Sequence, residues 1–223
     1  MYWTQRRLRE LTRLILWWLS PMFVHDDVIH QYIHLLKTYN TNTNIYSKQA
    51  YGQLTSHIQD SLNLAHYLQN TDYHVDMGSG AGLPGIVLAL ATDATVVCIE
   101  SKEKKRAFLR HAKQALALDN LHIFDGDVQA FASSHRGPTI TSFSAKAFAK
   151  PPKLLQYLSL FRPHLYTEDA ICWVPISKIQ RSYLATFDTV VSTTVGNQTF
   201  YYFKIQMGLY RRYKAGLKKQ YDL

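Results

Sequence analysis

The fold of this 223-residue chain is decided by one stretch, Asp76-Met77-Gly78-Ser79-Gly80-Ala81-Gly82-Leu83-Pro84-Gly85. Glycine has no Cβ atom, so a glycine-rich turn can approach a ligand closely and adopt positive φ angles. Apolar residues before the turn predict a strand, and those after it predict a helix whose free amides would face the ligand. The stretch therefore predicts a ligand-binding loop in an α/β fold.

Acidic residues accompany this loop at the ends of predicted strands. Asp76 ends the strand before the glycines, and Glu100 ends the next strand, about 20 residues after the loop. A carboxylate in the second position can accept hydrogen bonds from both hydroxyls of a ribose. A carboxylate in the first position suits a cationic sulfonium better than a pyrophosphate. The acidic-x-Gly-x-Gly-x-Gly pattern is similar to the first motif of class I methyltransferases, with Asp127 following the third strand as an adenine-side candidate or as part of a turn.

The elements around the loop alternate between strand and helix. This alternation predicts right-handed βαβ units and a parallel sheet whose ligand crevice lies at the carboxyl ends of the strands. We therefore predict a class I Rossmann-like methyltransferase fold, with a mostly parallel sheet and helices on both faces. The predicted strands are 73–77, 95–100, 122–124, 142–145, 170–174, 189–193 and 200–205, and the predicted helices of the core are 86–91, 104–118 and 152–161.

The segment before the core is predicted to be a helical extension. Apolar residues keep helical spacing within 28–36 and again within 48–68, so residues 1–70 are expected to pack as helices on a core of residues 71–206. The apolar run 14–19 follows four arginines and is too short to cross a bilayer. It predicts an amphipathic helix that packs on the core, and targeting or membrane-surface binding is the alternative.

Charge and cysteine content narrow the classes of partner. The formal net charge is +9 and the pI is near 9.5, a balance that concentrates polyanions such as nucleic acid. The basic tail, residues 207–223, is either a solvated terminus or an arm that tracks phosphates, and the basic helix 102–113 is either a solvated face or an RNA contact. Cys98 and Cys172 lie in apolar strands and are expected to be small core residues. We expect a single domain overall.

Four segments carry a more specific resemblance. The Leu-Pro-Gly continuation at 83–85 is unusual among methyltransferases, and 54–62 is similar to an Arg-His-Ile-x-Asp-Ser helix. Residues 100–109 look like an acidic-Ser-x-x-Lys-Arg-x-x-Phe-Leu run, and 145–149 look like a Ser-Arg-Ala-Phe-Ala segment. Together they resemble the bacterial small-subunit (16S) ribosomal RNA guanine-N7 methyltransferases, the glucose-inhibited division protein B family. The resemblance extends from about residue 27 to 205.

The resemblance implies an activity and a set of site residues. It implies methyl transfer from S-adenosyl-L-methionine to guanine N7 in small-subunit ribosomal RNA, by a cytoplasmic monomer that binds ribosomal RNA or the small subunit, needs no metal and does not insert stably into membranes. Alignment is then the main demand, because the sulfonium leaves neutral and N7 carries no proton. The expected catalytic residues are Lys146 and Phe148, although Phe148 alternatively packs the sheet edge. The expected cofactor-binding residues are Asp76, Gly78, Gly80, Gly82, Leu83, Glu100, Asp127, Val128, Gln129 and Lys146.

The chain departs from the family pattern at three places. Ser56 and Lys146 replace arginines, and 173–175 replaces an aromatic-Leu-Lys-Gly stretch. Lysine keeps the charge of arginine but loses its bidentate fork. A noncatalytic RNA-binding protein that retains a cofactor pocket is therefore one alternative, and an NAD-dependent oxidoreductase is another. On the 54–62 helix, His57 and Asp60 lie one turn apart and can bond each other or reach the cofactor pocket, whereas a lone helical histidine is more often structural.

Overall fold

The structure of the protein is a computed structural model that describes residues 23–68, 71–161, 166–176, 190–195 and 198–206. The apolar run 14–19 and the basic tail lie outside these residues. The described helices are α1 (Phe23–Tyr39), α2 (Leu54–His66), α3 (Gly85–Ala91), α4 (Glu103–Ala115), α5 (Val128–Ser134) and α6 (Pro151–Phe161), with a 3₁₀ helix at Lys48–Gln53. The described strands are β1 (Tyr73–Met77), β2 (Thr95–Glu100), β3 (Leu121–Asp125), β4 (Ile140–Ser144), β5 (Tyr166–Ile176), β6 (Val190–Val195) and β7 (Gln198–Gln206).

The described strands form one sheet in the order β3-β2-β1-β4-β5-β7-β6. Strands β1 to β5 pair in parallel, whereas β7 is antiparallel to both β5 and β6. The prediction of a mostly parallel sheet is confirmed. Because β1 is central and its neighbours are parallel, the carboxyl ends of β1, β2 and β4 meet at one edge, directly beside the glycine loop.

Helices cover both faces of the sheet, and alternation along the strands separates two cores. On β2, Val96 and Cys98 face the core that includes α1 to α4, whereas Val97 and Ile99 face the core that includes α5 and α6. Strand side chains point to opposite faces in turn, so a run of apolar residues fills both cores. The predicted layering is confirmed, and it leaves the strand ends as the place where polar groups can gather.

Two features of the secondary structure differ from the sequence prediction. The helical stretch predicted at 48–68 divides into the 3₁₀ helix and α2, because the 3₁₀ segment contributes no buried side chain and the packed face begins at Leu54. Helix α5 was not predicted. It has only 7 residues, too few for an apolar period to stand out, and it begins at the cap formed by Asp127.

Helix α1 supports the glycine loop directly. The Tyr32 side chain is fully buried, and its hydroxyl donates a hydrogen bond of 2.7 Å to the carbonyl of Ala81. At the carboxyl end of the same helix, the ring of Tyr39 packs on Phe108 of α4 with centroids 5.2 Å apart. The helical segment before the core therefore fixes the conformation of the loop as well as covering the sheet.

We expect Tyr32→Phe to destabilise the protein by about 1–3 kcal/mol, because the Ala81 carbonyl would lose its donor in a buried setting. The measurement is the free energy of unfolding in urea. The matched control is Tyr39→Phe on the same helix, since the Tyr39 hydroxyl makes no hydrogen bond to any described residue. Equal losses in the two variants would contradict the role given to the Tyr32 hydroxyl.

Candidate active site at the glycine loop

The glycine loop turns over the carboxyl end of β2. Three of its residues have positive φ, at 73° for Gly78, 59° for Gly80 and 89° for Gly82, a region that favours glycine. The amides of Gly78 and Ser79 both donate to the carbonyl of Ile99, at 2.9 and 3.1 Å. The loop is thus held by backbone bonds to the neighbouring strand and requires glycine at three positions.

The glycines divide into a buried set and an accessible set. A Cβ atom on Gly82 would lie 2.3 Å from Ile86 Cδ1, and one on Gly85 would lie 2.4 Å from Cys98 Sγ. By contrast, Gly78 and Gly80 are partly exposed, and a Cβ on Gly80 would have no neighbour closer than 3.8 Å. The surface that the loop offers to a ligand therefore lies at Gly80, because the Phe148 ring covers Gly78. The predicted residues Gly82 and Leu83 lie beneath it.

Glu100 ties the loop to the end of β2. Its side chain is 6% exposed, with Oε2 accepting from the Gly80 amide and Oε1 accepting from the Lys102 amide, each at 2.9 Å. An ionised carboxylate has about four lone-pair positions. Glu100 can therefore hold the loop and still accept hydrogen bonds from a ligand that lies on Gly80.

Asp76 lies entirely inside the protein. Its Oδ2 accepts from the Gly85 amide at 3.2 Å, and its Oδ1 accepts from the Ser144 hydroxyl at 2.6 Å. Burial raises the pKa of Asp76 from 3.8 to about 6, against the hydrogen bonds from Ser144 and Gly85 that lower it. The carboxylate therefore holds the start of α3 from below the loop, and it adds a buried negative charge when ionised.

Lys146 follows β4 and pairs with a residue of α2. Its Nζ lies 2.9 Å from Asp60 Oδ2 and donates to the His57 carbonyl at 3.3 Å, with both ionic side chains mostly buried. The bond expected between the two α2 side chains is not formed, because His57 Nδ1 instead bonds the Tyr46 hydroxyl at 2.8 Å. Burial, followed by the charge of Lys146, lowers the pKa of His57.

Phe148 packs directly against the loop. A Cβ on Gly78 would lie 2.3 Å from Phe148 Cδ2, and the Phe148 ring also packs on Tyr157 of α6 at 5.1 Å between centroids. Between Lys146 and Phe148, Ala147 has a φ of 50°, a conformation that costs a non-glycine residue about 1–2 kcal/mol. This turn directs one side chain to α2 and the other to the glycine loop.

Three residues that were predicted to bind the cofactor, Asp127, Val128 and Gln129, lie at the start of α5 in different environments. Asp127 is exposed and caps α5, because its Oδ1 accepts from the Ala130 amide at 2.8 Å. Val128 is buried, whereas Gln129 is exposed and lines a cavity between α5 and α6. The structure thus gathers Asp76, Gly78, Gly80, Glu100, Lys146 and Phe148 around the loop, and places Gln129 on the α5–α6 side.

Several residues of the site have no counterpart in the sequence prediction. The most informative are His74 and Ser144, polar residues at buried positions of β1 and β4. Polar residues that interrupt an apolar strand were the available signal for both. Lys105 was predicted only as part of the basic helix, and its Nζ lies 3.9 Å from the position of a Cβ on Gly80.

Metal-binding clusters and membrane-spanning helices are both absent from the described ranges. Those ranges contain no group of three or more His, Cys, Asp or Glu side chains placed to hold a metal ion. None of the helices in the described part of the chain is long and apolar enough to cross a membrane. Cys98 and Cys172 are both free and buried, as the sequence predicts.

Comparison with known proteins identifies a family. A family model described as rRNA small subunit methyltransferase G matches residues 26–164. Ribosomal RNA small subunit methyltransferase G of Neisseria gonorrhoeae (strain NCCP11945) is 35% identical over 127 residues, which cover 56% of this chain and 59% of that protein. The protein of the same name from Methylobacillus flagellatus is 34% identical over 142 residues, covering 63% of this chain and 65% of that protein. The chain thus matches less than two thirds of the length of these relatives.

Solved structures share the fold. A methyltransferase from Geobacter sulfurreducens superposes with a TM-score of 0.53 and 15% identity, over 87% of this chain and 96% of that one. An O-methyltransferase from Bacillus cereus in complex with SAH gives a TM-score of 0.53 and 15% identity, over 85% and 94% of the two chains. The predicted Rossmann-like methyltransferase fold is confirmed.

The buried charge of Asp76 has a measurable effect on stability. Because the pKa of Asp76 is higher in the folded protein than in the unfolded chain, its contribution to stability falls as the pH rises from about 4 to about 6. Asp76→Asn removes the titrating group and therefore this pH-dependent contribution to stability. In urea unfolding, we expect the free energy of unfolding of the variant, relative to that of the wild type, to increase by about 1 kcal/mol from pH 5 to pH 7.5.

Asp127→Asn is the control for this experiment, because the Asp127 side chain is an exposed cap. Its difference from the wild type should not follow the same trend. A constant difference between Asp76→Asn and the wild type at the two pH values would show that Asp76 does not titrate as described.

Proposed function

We propose that this chain, which belongs to the rRNA small subunit methyltransferase G family, transfers a methyl group from S-adenosyl-L-methionine to guanine N7 of small-subunit ribosomal RNA. The observation that carries the proposal is the accessible backbone of Gly80, which Glu100 holds in a loop that covers the buried carboxylate of Asp76. The proposed partner is ribosomal RNA or the small ribosomal subunit, on which the protein acts as a monomer in the cytoplasm.

The residues around the loop fit a sulfonium nucleoside. Gly80 presents backbone with no side chain and no close neighbour, so a ligand can lie directly on the loop there. Glu100 would accept from the ribose hydroxyls, and the ionised carboxylate of Asp76 would favour a cationic ligand through its field. Asp127, with one oxygen engaged by the α5 cap, is the proposed adenine-side residue. When bound, the cofactor supplies the methyl group.

The acceptor base is proposed to lie beside Lys146 and Phe148. The Phe148 ring covers Gly78, so an aromatic face stands next to the proposed cofactor position and can tolerate positive charge that develops on guanine. The ion pair with Asp60 fixes Lys146 and offsets its charge locally. In this arrangement the residues align donor and acceptor, and proton removal is not needed at N7.

Strand topology argues against an NAD-dependent oxidoreductase. The usual dinucleotide-binding sheet has parallel strands in the order 3-2-1-4-5-6. Here β7 runs antiparallel and lies between β5 and β6. The glycine loop and Glu100 fit both classes of enzyme and do not distinguish them. The arrangement of the last three strands does, and it supports a methyltransferase over an oxidoreductase.

Unpaired lysines mark the proposed RNA-facing side of α4. Lys102 and Lys104 are exposed, Lys105 is partly exposed, and these lysines form no ion pair with any described residue. In contrast, Arg106 and Arg110 are engaged by acidic side chains at 2.5–2.6 Å. The amino-terminal turn of α4 adjoins Glu100 at the carboxyl edge of the sheet, so its free charges are placed to hold phosphates near the site.

The activity is tested by transfer of labelled methyl from S-adenosyl-L-methionine to small subunits that lack the modification, with N7-methylguanine detected by strand cleavage after reduction and aniline treatment. The wild type should incorporate label into small-subunit RNA. Gly80→Arg should abolish incorporation because its side chain fills the ligand space above the loop. Gly80→Ala is the control, since it carries the strain of positive φ without the bulk.

Two results would contradict this proposal. Full activity in Gly80→Arg would exclude the loop as the cofactor site. Saturable S-adenosyl-L-methionine binding by the wild type without methyl transfer to naked RNA, precursor or mature subunit would instead identify a noncatalytic RNA-binding protein.

The RNA surface is tested by reversing charge at Lys102 and Lys104. We expect Lys102→Glu/Lys104→Glu to weaken RNA binding about tenfold and to reduce the slope of affinity against salt by about 1 per lost phosphate contact. Cofactor affinity should stay unchanged. Lys37→Glu/Lys113→Glu makes the same change of charge in the last turns of α1 and α4. Equal weakening by the two double variants would contradict a localised RNA surface.

A further inference from the structure

A chain of buried polar groups connects β4 to the glycine loop through β1. Nδ1 and Nε2 of His74 lie 2.7 Å from Ser142 Oγ and 2.8 Å from Ser144 Oγ. Ser144 Oγ donates in turn to Asp76 Oδ1 at 2.6 Å, and Asp76 Oδ2 accepts from the Gly85 amide at 3.2 Å. The four side chains are at most 2% exposed.

Strand register places these groups side by side. In the parallel pairing of β1 with β4, His74 lies opposite Ser142 and Asp76 lies opposite Ser144. Residues two apart on a strand share a face, so all four side chains lie in one layer. Apolar residues would fill this layer without the cost of burying polar groups. The fold alone therefore gives no reason for the chain of polar groups.

The direction of each hydrogen bond follows from the neutral state of His74. Burial lowers the pKa of His74 to about 3, so the imidazole carries one N–H. When Asp76 is ionised, the Ser144 proton points to Asp76, and Ser144 accepts from the Nε2–H of His74. Nδ1 then accepts from the Ser142 hydroxyl. In this arrangement the N–H of His74 and both serine hydroxyls each have an acceptor.

Protonation of Asp76 would reverse the direction of these hydrogen bonds. Asp76 would donate to Ser144, Ser144 would donate to Nε2, and the Nδ1–H of His74 would point to Ser142. The Ser142 hydroxyl proton would then have no acceptor among the described contacts. An unused buried donor is costly, so the chain favours the ionised form of Asp76.

We propose that His74, Ser142 and Ser144 are positioning residues that keep Asp76 ionised and aimed at the Gly85 amide, and so prepare the loop for a cationic cofactor. This inference rests on the proposed function, because the ligand is S-adenosyl-L-methionine. The three residues act through Asp76 and do not themselves touch the ligand.

The two thiols and the phenol closest to Asp76 stay neutral near pH 7. Burial raises the pKa of the thiols of Cys98 on β2 and Cys172 on β5 and of the phenol of Tyr32 on α1. Lys146, after β4, lowers the pKa of Asp76 through its charge. Burial lowers the pKa of His57 on α2 from 6.5, but His57 is bonded to Tyr46 and not to Ser144. A change in cofactor affinity near pH 6 that moves in Ser144→Ala therefore reports on Asp76.

The test is calorimetric titration with S-adenosyl-L-methionine between pH 5.5 and 8.5. The wild type should bind more weakly as the pH falls through about 6. Ser144→Ala removes the bond to Asp76, so we expect about tenfold weaker binding at pH 7 and a fall that begins at higher pH. Ser144→Thr retains a hydroxyl and should restore both properties. Ser142→Ala should shift the profile in the same direction by less.

The matched control is Thr141→Val on β4. The Thr141 hydroxyl donates to the Tyr73 carbonyl and takes no part in the hydrogen bonds between His74, the two serines and Asp76. It should leave the pH profile unchanged. A profile in Ser144→Ala that coincides with the wild type, or a loss that is equal at every pH, would overturn the inference and leave the proposed function intact. A wild type that does not bind S-adenosyl-L-methionine would overturn the proposed function itself.

Discussion

The structure depends on one buried carboxylate, that of Asp76, held beneath a glycine loop at the centre of a parallel sheet. A carboxylate taken out of water is costly unless donors surround it. Here the amide of Gly85 and the hydroxyl of Ser144 supply them. The first of these bonds fixes where α3 begins, and the second fixes β4 to β1. Loop, helix and sheet are therefore organised around the same group, which is also the natural counter-charge for a cationic ligand.

The helical segment before the core belongs to the site as much as to the scaffold. Tyr32 on α1 supports the loop at Ala81, and Asp60 on α2 holds Lys146 after β4. The Tyr202 hydroxyl on β7 also donates to the Asp60 carbonyl, at 2.7 Å. Contacts from the first helices and the last described strand thus converge on the loop and on the Asp60–Lys146 pair. A ligand on the loop would be enclosed by elements from both ends of the described chain.

Local pattern was sufficient to predict the loop and the strands that flank it. Strands 73–77 and 95–100 have the predicted bounds, because the first ends at the glycine loop and the apolar run of the second ends at Glu100. Partners distant in sequence were not predictable. Lys146 meets Asp60 from 86 residues away, and packing of α2 against the sheet decides that contact. The bond between His57 and Tyr46 likewise depends on how the segment before α2 folds back.

The role of the loop above Asp76 is tested most directly by titrating the purified protein with S-adenosyl-L-methionine and, separately, with NADH, following the heat of binding. Both ligands carry an adenine nucleoside, but one adds a cationic sulfonium and the other a pyrophosphate. A loop above a buried carboxylate favours positive charge, so we expect saturable binding of S-adenosyl-L-methionine and none of NADH. Binding of NADH alone would contradict the role given to Asp76.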